Sequence, residues 1–237
     1  MIVYKEEPFY VEERNFADGQ PFDGSNVWLR LSSGIQPFIF IDANVQSGAD
    51  GSKLATIVDS SENGYNLSQA TESLQPTLVW NGINGYPVIH FNNEGEYIQS
   101  ESMTQDAPFT VFMVSRLVES DSNRHYYTGG PYLVYHSETD ATRFYYGGTG
   151  WYSYEANDGN YQLQHGVING ASSKWFINGT ETSGTLGADN YRDYFCLGRS
   201  GYGSFIDIAC WIMYDSVLTD ADINHAVAFI KERFGLS

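Results

Sequence analysis

The stretch "NGINGYPVIHFNNEGEYIQS", residues 81–100, decides how this chain folds. "NGING" predicts a tight turn, because Asn and Gly tolerate the backbone conformations that two-residue hairpin turns need. "PVIHF" predicts a strand whose Ile89 and Phe91 face the core while His90 points the other way, since strand side chains alternate between faces. We expect a connection between strands here rather than a catalytic loop, because no nucleophile stands beside His90. "NNEGE" predicts a second, solvated turn that carries Glu94 and Glu96.

The rest of the chain repeats this pattern of short apolar or alternating runs between turn residues. Runs of this kind, separated by Gly, Asn, Asp and Ser, predict the strands of an antiparallel sandwich or jelly roll. We therefore predict an all-β fold: a two-sheet antiparallel jelly-roll sandwich with one C-terminal amphipathic helix. The candidate strands are residues 38–41, 77–80, 88–91, 109–118, 132–136, 143–146, 161–168, 174–178, 194–197 and 205–214.

The helix is predicted in "LTDADINHAVAFIKERFGLS", residues 218–237. Thr219 is a good N-cap, and Asp222 three residues later completes a capping box. Gly235 suits the position after the last turn. Apolar residues at helical spacing predict the face that packs on the sandwich, namely Ile223, Val227, Ile230 and Phe234.

Residues 1–35 differ in composition from the remainder of the chain. They mix acidic pairs with Pro and Gly and show no sustained period of two or 3.6, which predicts an irregular N-terminal arm. Such an arm is either a poorly ordered terminus or an attachment segment for a larger assembly. Residues 36–237 are predicted to form one lectin-like jelly-roll domain.

Charge and apolar runs exclude several classes of partner. Asp and Glu number 29 against 12 Lys and Arg, and the net charge of −17 repels phosphate backbones. We therefore expect no nucleic-acid partner. No apolar run is long enough to cross a bilayer, so we expect no membrane insertion, and the first residues lack a signal-peptide pattern. Cys196 and Cys210 lie in apolar runs and are predicted to be buried free thiols.

Six stretches carry a resemblance to a known family. They are "FIFIDAN" (38–44), "VDSSENGYNLSQAT" (58–71), "QPTLVWNGINGYPVIHFNNEGEYI" (75–98), "FTVFMVSRL" (109–117), "NGASSKWFINGTE" (169–181) and "IDIACWIMYDSVLTDADI" (206–223). Their content and order resemble the laminin-G-like branch of the concanavalin A-like lectin/glucanase superfamily. The resemblance runs from residue 38 to residue 237 and implies a twisted two-sheet jelly roll, although residues 121–164 match little.

The sequence does not match the catalytic motifs found on this fold. Hydrolases carry paired carboxylates on one strand, in the pattern E-x-D-x-x-E, so that they flank a glycosidic bond. "ESDSNR" (119–124) and "ETDATR" (138–143) come close, but arginine stands where the second carboxylate is needed. Polysaccharide lyases need an arginine, a Gln/His pair and a Tyr/Lys strand, which the four lysines do not match. We predict no enzymatic activity; a hydrolase or lyase with acids from unrelated strands is the alternative.

Two acidic turns raise the question of calcium. "DANVQSGADG" (42–51) and "VDSSENG" (58–64) supply carboxylates and carbonyl-rich turns, the oxygen chemistry that calcium prefers. Their spacing matches no defined calcium loop, and Asp, Ser, Asn and Gly are also ordinary turn formers. Both interpretations stay open, and the candidate calcium ligands are Asp42, Asp50 and Asp59.

The segment from residue 126 to residue 161 holds nine of the 18 tyrosines. Aromatic rings stack on the C–H faces of sugars, and Asp, Asn and Tyr bond their hydroxyls, so this mixture is typical of shallow carbohydrate sites. The alternative is that tyrosine, a good strand former, merely fills the two sheet surfaces. The candidate glycan-binding residues are Tyr146, Trp151, Tyr152, Tyr154, Asp158 and Asn160.

These patterns favour a non-catalytic carbohydrate- or surface-recognition module. The setting we expect is the outside of a virion, as a phage tail or capsid decoration protein attached through residues 1–35. An adhesion or carbohydrate-binding domain of a larger bacterial surface protein is the alternative, and in both cases the domain works at an extracellular surface. A purely structural decoration or oligomerisation module is a further alternative, and it predicts no glycan binding.

Overall fold

The structure is a computed structural model that describes part of the chain. The described residues are 31, 33–101, 103, 108–118, 124–127, 134–136, 141–146, 150–155, 159–182, 184–185, 194–198 and 203–237. Within them, only the backbone is described at residues 93–94, 124–127, 134–136, 141–146, 150–155, 184–185 and 203–204. Most of the predicted N-terminal arm, 1–35, lies outside the described residues.

The described residues form strands joined by turns, followed by one helix, α1 (Asp220–Phe234). The strands are β1 (Ile39–Asp42), β2 (Thr56–Ile57), β3 (Leu67–Ser68), β4 (Thr77–Ile83), β5 (Tyr86–Glu94), β6 (Tyr97–Ser100), β7 (Phe109–Leu117), β8 (Arg124–Tyr127), β9 (Val134–His136), β10 (Ala141–Tyr146), β11 (Gly150–Glu155), β12 (Gln162–Ile168), β13 (Lys174–Ile177), β14 (Thr180–Glu181), β15 (Gly184–Thr185), β16 (Cys196–Gly198) and β17 (Gly203–Tyr214).

The strands form two antiparallel sheets. Sheet 1 has the order β14-β13-β12-β7-β17-β5-β4, and β1 also pairs with β17. Sheet 2 has the order β15-β11-β10-β9-β8-β16-β6-β3-β2. This arrangement, with the helix at the C-terminal end, confirms the predicted antiparallel sandwich.

The main core lies between the two sheets. Sheet 1 contributes large side chains such as Trp175 and Trp211, and sheet 2 contributes residues such as Ile98 and Leu197, all fully buried. Burying side chains of this size removes on the order of 1.5–3 kcal/mol each of unfavourable apolar hydration. The alternation of the strands supplies this core from one face of each sheet.

Sheet 1 is buried on its other face as well, because α1 packs there. A second cluster joins Phe112, Val114 and Ile212 of the strands to Ile230 and Phe234 of the helix. Burial on both faces explains why β7 and β17 read as nearly continuous apolar runs. We call the helix-bearing surface the outer face of sheet 1.

A β-bulge in β17 sets which side chains reach the helix. The register with β7 shifts between Ile208 and Cys210, so that Ala209 and Cys210 both join the cluster beneath α1. A bulge inserts one extra residue and resets the alternation of the strand. Cys210 and Cys196 are buried free thiols, as predicted.

The helix begins and ends where the sequence predicts. The Thr219 hydroxyl accepts a hydrogen bond from the Asp222 amide at 3.2 Å, and Gly235 adopts a left-handed φ of 62°. The buried face is rotated from the predicted one. It comprises Asp222, Ala226, Ile230 and Phe234, whereas Ile223 and Val227 are half-buried. The described part of the chain holds no helix with the length and apolarity needed to cross a bilayer.

The described chain begins beside the start of this helix. Leu31 is buried in the cluster beneath α1, and the Ser33 amide donates a hydrogen bond to Asp222 Oδ1 at 3.2 Å. The last residues of the segment predicted as an arm therefore contact the domain.

The stretch that opened the sequence analysis forms the β4–β5 hairpin. Asn84 and Gly85 both have positive φ and connect Ile83 to its opposite residue Tyr86, as a type I′ turn requires. His90 points away from the core, as predicted, while its neighbours Ile89 and Phe91 are fully buried.

The prediction of a solvated second turn was wrong for Glu96. Strand β5 continues to Glu94, and the Glu96 side chain is fully buried. Its carboxylate receives the Lys53 ammonium at 2.6 Å and the Asn92 amide at 2.8 Å. A buried carboxylate requires such partners, because its desolvation is otherwise too costly.

Candidate functional site

The predicted recognition segment forms four consecutive strands of sheet 2, β8 to β11. Strands β10 and β11 pair in register, so that Tyr145 lies opposite Trp151 and Phe144 lies opposite Tyr152. The hairpin places Tyr146 opposite Gly150, at the end where residues 147–149 connect the strands. The aromatic positions thus form rows across neighbouring strands.

The register assigns these rows to the two faces of sheet 2. Leu197, whose side chain is in the core, lies opposite Tyr127; Tyr127 lies opposite Val134, and Val134 opposite Phe144. Residues directly opposite each other in an antiparallel pair share a face. The position of Tyr152 therefore belongs to the core-side face of the sheet.

Trp151 and Tyr145 occupy the opposite, outer face, because each lies one residue from a core-side position. We call these two positions the outer pair. Tyr146 and Tyr154 share the core-side face with Tyr152, so the structure divides the predicted set. Tyr145 was not among the predicted residues, and only the register of the hairpin, which sequence alternation does not give, places it opposite Trp151.

The last two predicted glycan-binding residues fall elsewhere. Asp158 lies outside the described residues. Asn160 is exposed and stands two residues before β12 of sheet 1. It is therefore placed by the other sheet, apart from the strands that carry the outer pair.

The three candidate calcium ligands have other partners. Asp42 Oδ2 pairs with Arg233 at 2.6 Å, and Asp50 Oδ1 accepts from the Trp80 amide at 2.9 Å. Burial raises the pKa of Asp42, and the Arg233 charge lowers it only in part. In the part of the chain that the structure describes, no three His, Cys, Asp or Glu residues form a group suited to a metal ion.

Asp59 organises a turn. Its Oδ1 accepts from the Phe40 and Ser61 amides at 2.8 and 2.9 Å, and its Oδ2 accepts from the Ser61 hydroxyl and the Tyr65 amide at 2.6 and 2.8 Å. The bond from the Ser61 amide, two residues on, is that of an Asx turn, and the other three donors hold the carboxylate in place. These contacts support the turn interpretation of "VDSSENG".

A polar row that the sequence analysis missed crosses the outer face of sheet 1. Thr77, His90, Asp207 and Arg116 stand directly opposite one another on β4, β5, β17 and β7, and Tyr161 precedes β12 beside Arg116. We call these five residues the polar row. Its members are far apart in sequence, so only strand pairing brings them together.

Asp207 is the centre of this row. Its Oδ1 lies 2.5 Å from His90 Nδ1, and its Oδ2 accepts from Arg116 Nε at 2.6 Å and from the Tyr161 hydroxyl at 3.0 Å. The Arg116 guanidinium lies over the Tyr161 ring, 4.7 Å from its centroid. The Asp207 side chain is only 2% exposed, whereas those of His90 and Arg116 are 23% and 37% exposed.

The electrostatics of the row hold Asp207 ionised. Burial alone raises the pKa of Asp207, but hydrogen bonds and charge from His90 and Arg116 together outweigh burial and hold it below its usual value. Burial, followed by the Asp207 charge, raises the pKa of the Tyr161 hydroxyl well above its usual value. The carboxylate and the phenol therefore both keep their protonation state near neutral pH.

A groove of about 450 Å³ lies between α1 and the β12–β13 part of sheet 1. His165 lines it and stacks between Phe112 and Phe176, with ring centroids at 5.6 and 4.8 Å. Burial, with a smaller contribution from the Lys231 charge, lowers the pKa of His165 to about 4. Among the described residues, no hydrogen-bond partner reaches its buried Nδ1.

Comparison with known proteins adds information on the fold. No family model and no curated protein matches the chain. The sialidase of Trypanosoma rangeli in complex with sialic acid is similar in structure, with a TM-score of 0.60 and 10% identity over 88% of this chain and 34% of the sialidase chain. The receptor binding domain of botulinum neurotoxin type G has a TM-score of 0.54 and 10% identity over 82% of this chain and 51% of that chain.

At this level of identity the likeness concerns the fold. It supports a two-sheet antiparallel sandwich fold. The chain spans about a third of the length of the sialidase chain. The laminin-G-like branch is not specifically shown by these matches.

Proposed function

We propose that this domain is a non-catalytic module that recognises carbohydrate on a surface, through the outer face of β8 to β11. The observation that carries the proposal is the outer pair: Trp151 stands directly opposite Tyr145 on the face turned away from Leu197. Neighbouring aromatic residues on a sheet face suit a sugar, whose C–H groups stack on rings. The laminin-G-like resemblance of the sequence agrees with a recognition role.

A glycan array tests this proposal. Labelled protein is applied to an array of neutral and anionic glycans, with and without calcium, and the dissociation constant of each bound glycan is measured. Trp151→Ala should weaken binding at least about thirtyfold, the equivalent of about 2 kcal/mol, as expected for an aromatic at the centre of a contact. Tyr145→Ala should also weaken binding, by a smaller factor.

Tyr97→Ala is the matched control. Tyr97 is a half-buried tyrosine on β6 of the same sheet, next to the core residue Ile98 and outside the aromatic strands. Its loss should leave glycan binding unchanged. If Trp151→Ala and Tyr145→Ala lower the melting temperature without a specific loss of binding, the aromatic strands serve packing. If the array shows no binding to any glycan, the result favours a purely structural decoration or oligomerisation module.

The proposal of a non-catalytic module draws support from the polar row. Asp207 is buried and held ionised, and the Tyr161 pKa is raised, so neither group is tuned to exchange a proton near neutral pH. Mass spectrometry of any bound glycan after prolonged incubation should show an unchanged mass. Cleavage of that glycan would instead support a hydrolase or lyase.

We further propose that the module acts on the outside of a virion, as a tail or capsid decoration protein. The described chain begins beside α1 on sheet 1, whereas the outer pair lies on sheet 2, so the described chain enters the domain on the sheet that does not carry the outer pair. Immunogold labelling of particles released by host lysis should decorate the particles. Labelling confined to bacterial envelopes would support an adhesion domain of a surface protein.

A further inference from the structure

The polar row lies at the edge of the patch that α1 covers. The next residues of the same strands toward the helix, Val88, Val114 and Leu163, are buried in the cluster beneath it. In the row itself, Arg116 and His90 remain partly exposed above the buried Asp207. The outer face of sheet 1 therefore changes from apolar and covered to polar and partly exposed within two residues along the strands.

Stability alone does not account for this row. Burying a carboxylate costs several kcal/mol of desolvation, and buried ion pairs are commonly no more stabilising than apolar residues of similar volume. The adjacent positions show that these strands accommodate apolar residues on the same face. A polar departure from an otherwise apolar pattern is commonly found at a functional surface.

The row is also preorganised. Asp207 forms hydrogen bonds with His90, Arg116 and Tyr161 at the same time. The Arg116 guanidinium also lies over the Tyr161 ring, 4.7 Å from the ring centroid. Side chains fixed before binding lose less conformational entropy when a ligand arrives. Two of the fixed side chains, those of His90 and Arg116, are also 23% and 37% exposed, so a ligand can reach them.

The chemistry of those atoms selects a ligand. His90 meets Asp207 through Nδ1, so Nε2 is the ring nitrogen that remains for a ligand. Arg116 uses Nε for Asp207 and is a donor at its terminal nitrogens. A hydroxyl group accepts from Arg116 and can either donate to or accept from His90 Nε2, whereas carboxylates and phosphates only accept.

We propose that the polar row is a second carbohydrate-binding site, specific for neutral sugars with neighbouring hydroxyl groups. The charge balance agrees, because Asp207 already neutralises Arg116 and the chain carries a net charge of −17, so an anionic ligand gains little here. This site lies on sheet 1 and does not depend on the outer pair of sheet 2. The domain thus binds sugars on two opposite surfaces.

The test separates the two sites by mutation. In Trp151→Ala protein, a glycan array should still show binding, confined to neutral glycans. Adding Arg116→Lys should weaken that binding at least tenfold, about 1.4 kcal/mol, because lysine keeps the charge beside Asp207 but lacks the planar donor fork. Thr77→Val, which removes only a hydroxyl at the end of the row, should weaken it less.

Arg233→Lys is the matched control, since Arg233 also pairs with a buried aspartate, Asp42, but stands in the last turn of α1 and is only 12% exposed. It should leave residual binding unchanged. The proposal is overturned if Arg116→Lys binds neutral glycans like its parent, if the residual binding is confined to anionic glycans, or if Trp151→Ala retains none. Unchanged glycan binding in Trp151→Ala, together with a loss of binding in Arg116→Lys, would overturn only the function proposed for the outer pair.

Discussion

His165 shows how a single buried side chain makes stability depend on pH. Its folded pKa of about 4 lies below the ordinary value of 6.5, so between these values the unfolded chain binds a proton that the folded protein does not. The free energy of unfolding should therefore fall by about 3 kcal/mol as the pH drops from 6.5 to 4, at about 1.4 kcal/mol per pH unit. His165→Phe should remove most of this fall.

Urea unfolding from pH 8 to pH 4 measures the effect. At pH 8 the imidazole is neutral in both states, so any difference between wild type and His165→Phe reports packing between Phe112 and Phe176 alone. An unchanged acid slope in His165→Phe would contradict the burial of the imidazole.

At the scale of single residues, the sequence predicts which face of a strand a side chain occupies better than it predicts which residue that side chain contacts. Alternation in "PVIHF" correctly turns His90 away from the core, because that depends only on its neighbours. Its bond to Asp207, 117 positions away, depends on which strands pair and in what register. Glu96 was misplaced for the same reason: the countercharge that permits its burial comes from Lys53, on a distant segment.

At the element scale, α1 offers a sharp test of which helix face is buried. Ile230 is 1% exposed and packs in the cluster on sheet 1, while Ile223 is only partly buried there. Ile230→Ala should therefore cost about 2–5 kcal/mol of unfolding free energy, and Ile223→Ala less than half as much. The apolar helix face predicted from the sequence contains both residues, so it predicts equal losses of unfolding free energy. Denaturant unfolding of both variants distinguishes the two faces.

The ends of elements were easier to predict than their rotation or irregularities. Thr219 and Gly235 mark the two ends of the helix in the sequence because capping depends only on residues that are close together in the chain. The helix face depends on the shape of the sheet it meets, and the buried Asp222 carboxylate is bonded by the Ser33 amide and the Thr219 hydroxyl. Likewise, the bulge at Ala209 leaves no mark in "IDIACWIMY", since both faces of β17 are buried and apolar residues suit either.

At the scale of the whole molecule, the carboxylate contacts predict how the fold responds to calcium. Asp42 is neutralised by Arg233, and Asp59 is bonded by backbone and hydroxyl donors. We expect the same melting temperature in millimolar EDTA and in millimolar calcium, because an ion that bound only the folded state would raise it. A calcium-dependent increase that Asp59→Asn abolishes would restore the calcium interpretation.

The sandwich itself was predictable because apolar runs and turn residues repeat along the chain. The division of the aromatic strands between two faces was not. Whether Trp151 or Tyr152 faces outward depends on a register that runs from Leu197 through Tyr127 and Phe144. A shift of one residue in any of these pairs reverses the assignment.

The position of β1 has a mechanical consequence. The described chain begins at Leu31, beside α1, and reaches β1 within a few residues. This short strand is held along one edge by β17 and along the other by the Phe40 bonds to Asp59 and Ser60. In a molecule anchored by its first residues and bound to a surface through Trp151, tension reaches the contacts of Leu31 and Ser33 beside α1 first and β1 next. The lifetime of the attachment under load therefore depends on these contacts and on the hydrogen bonds along both edges of β1, as well as on the affinity for the surface.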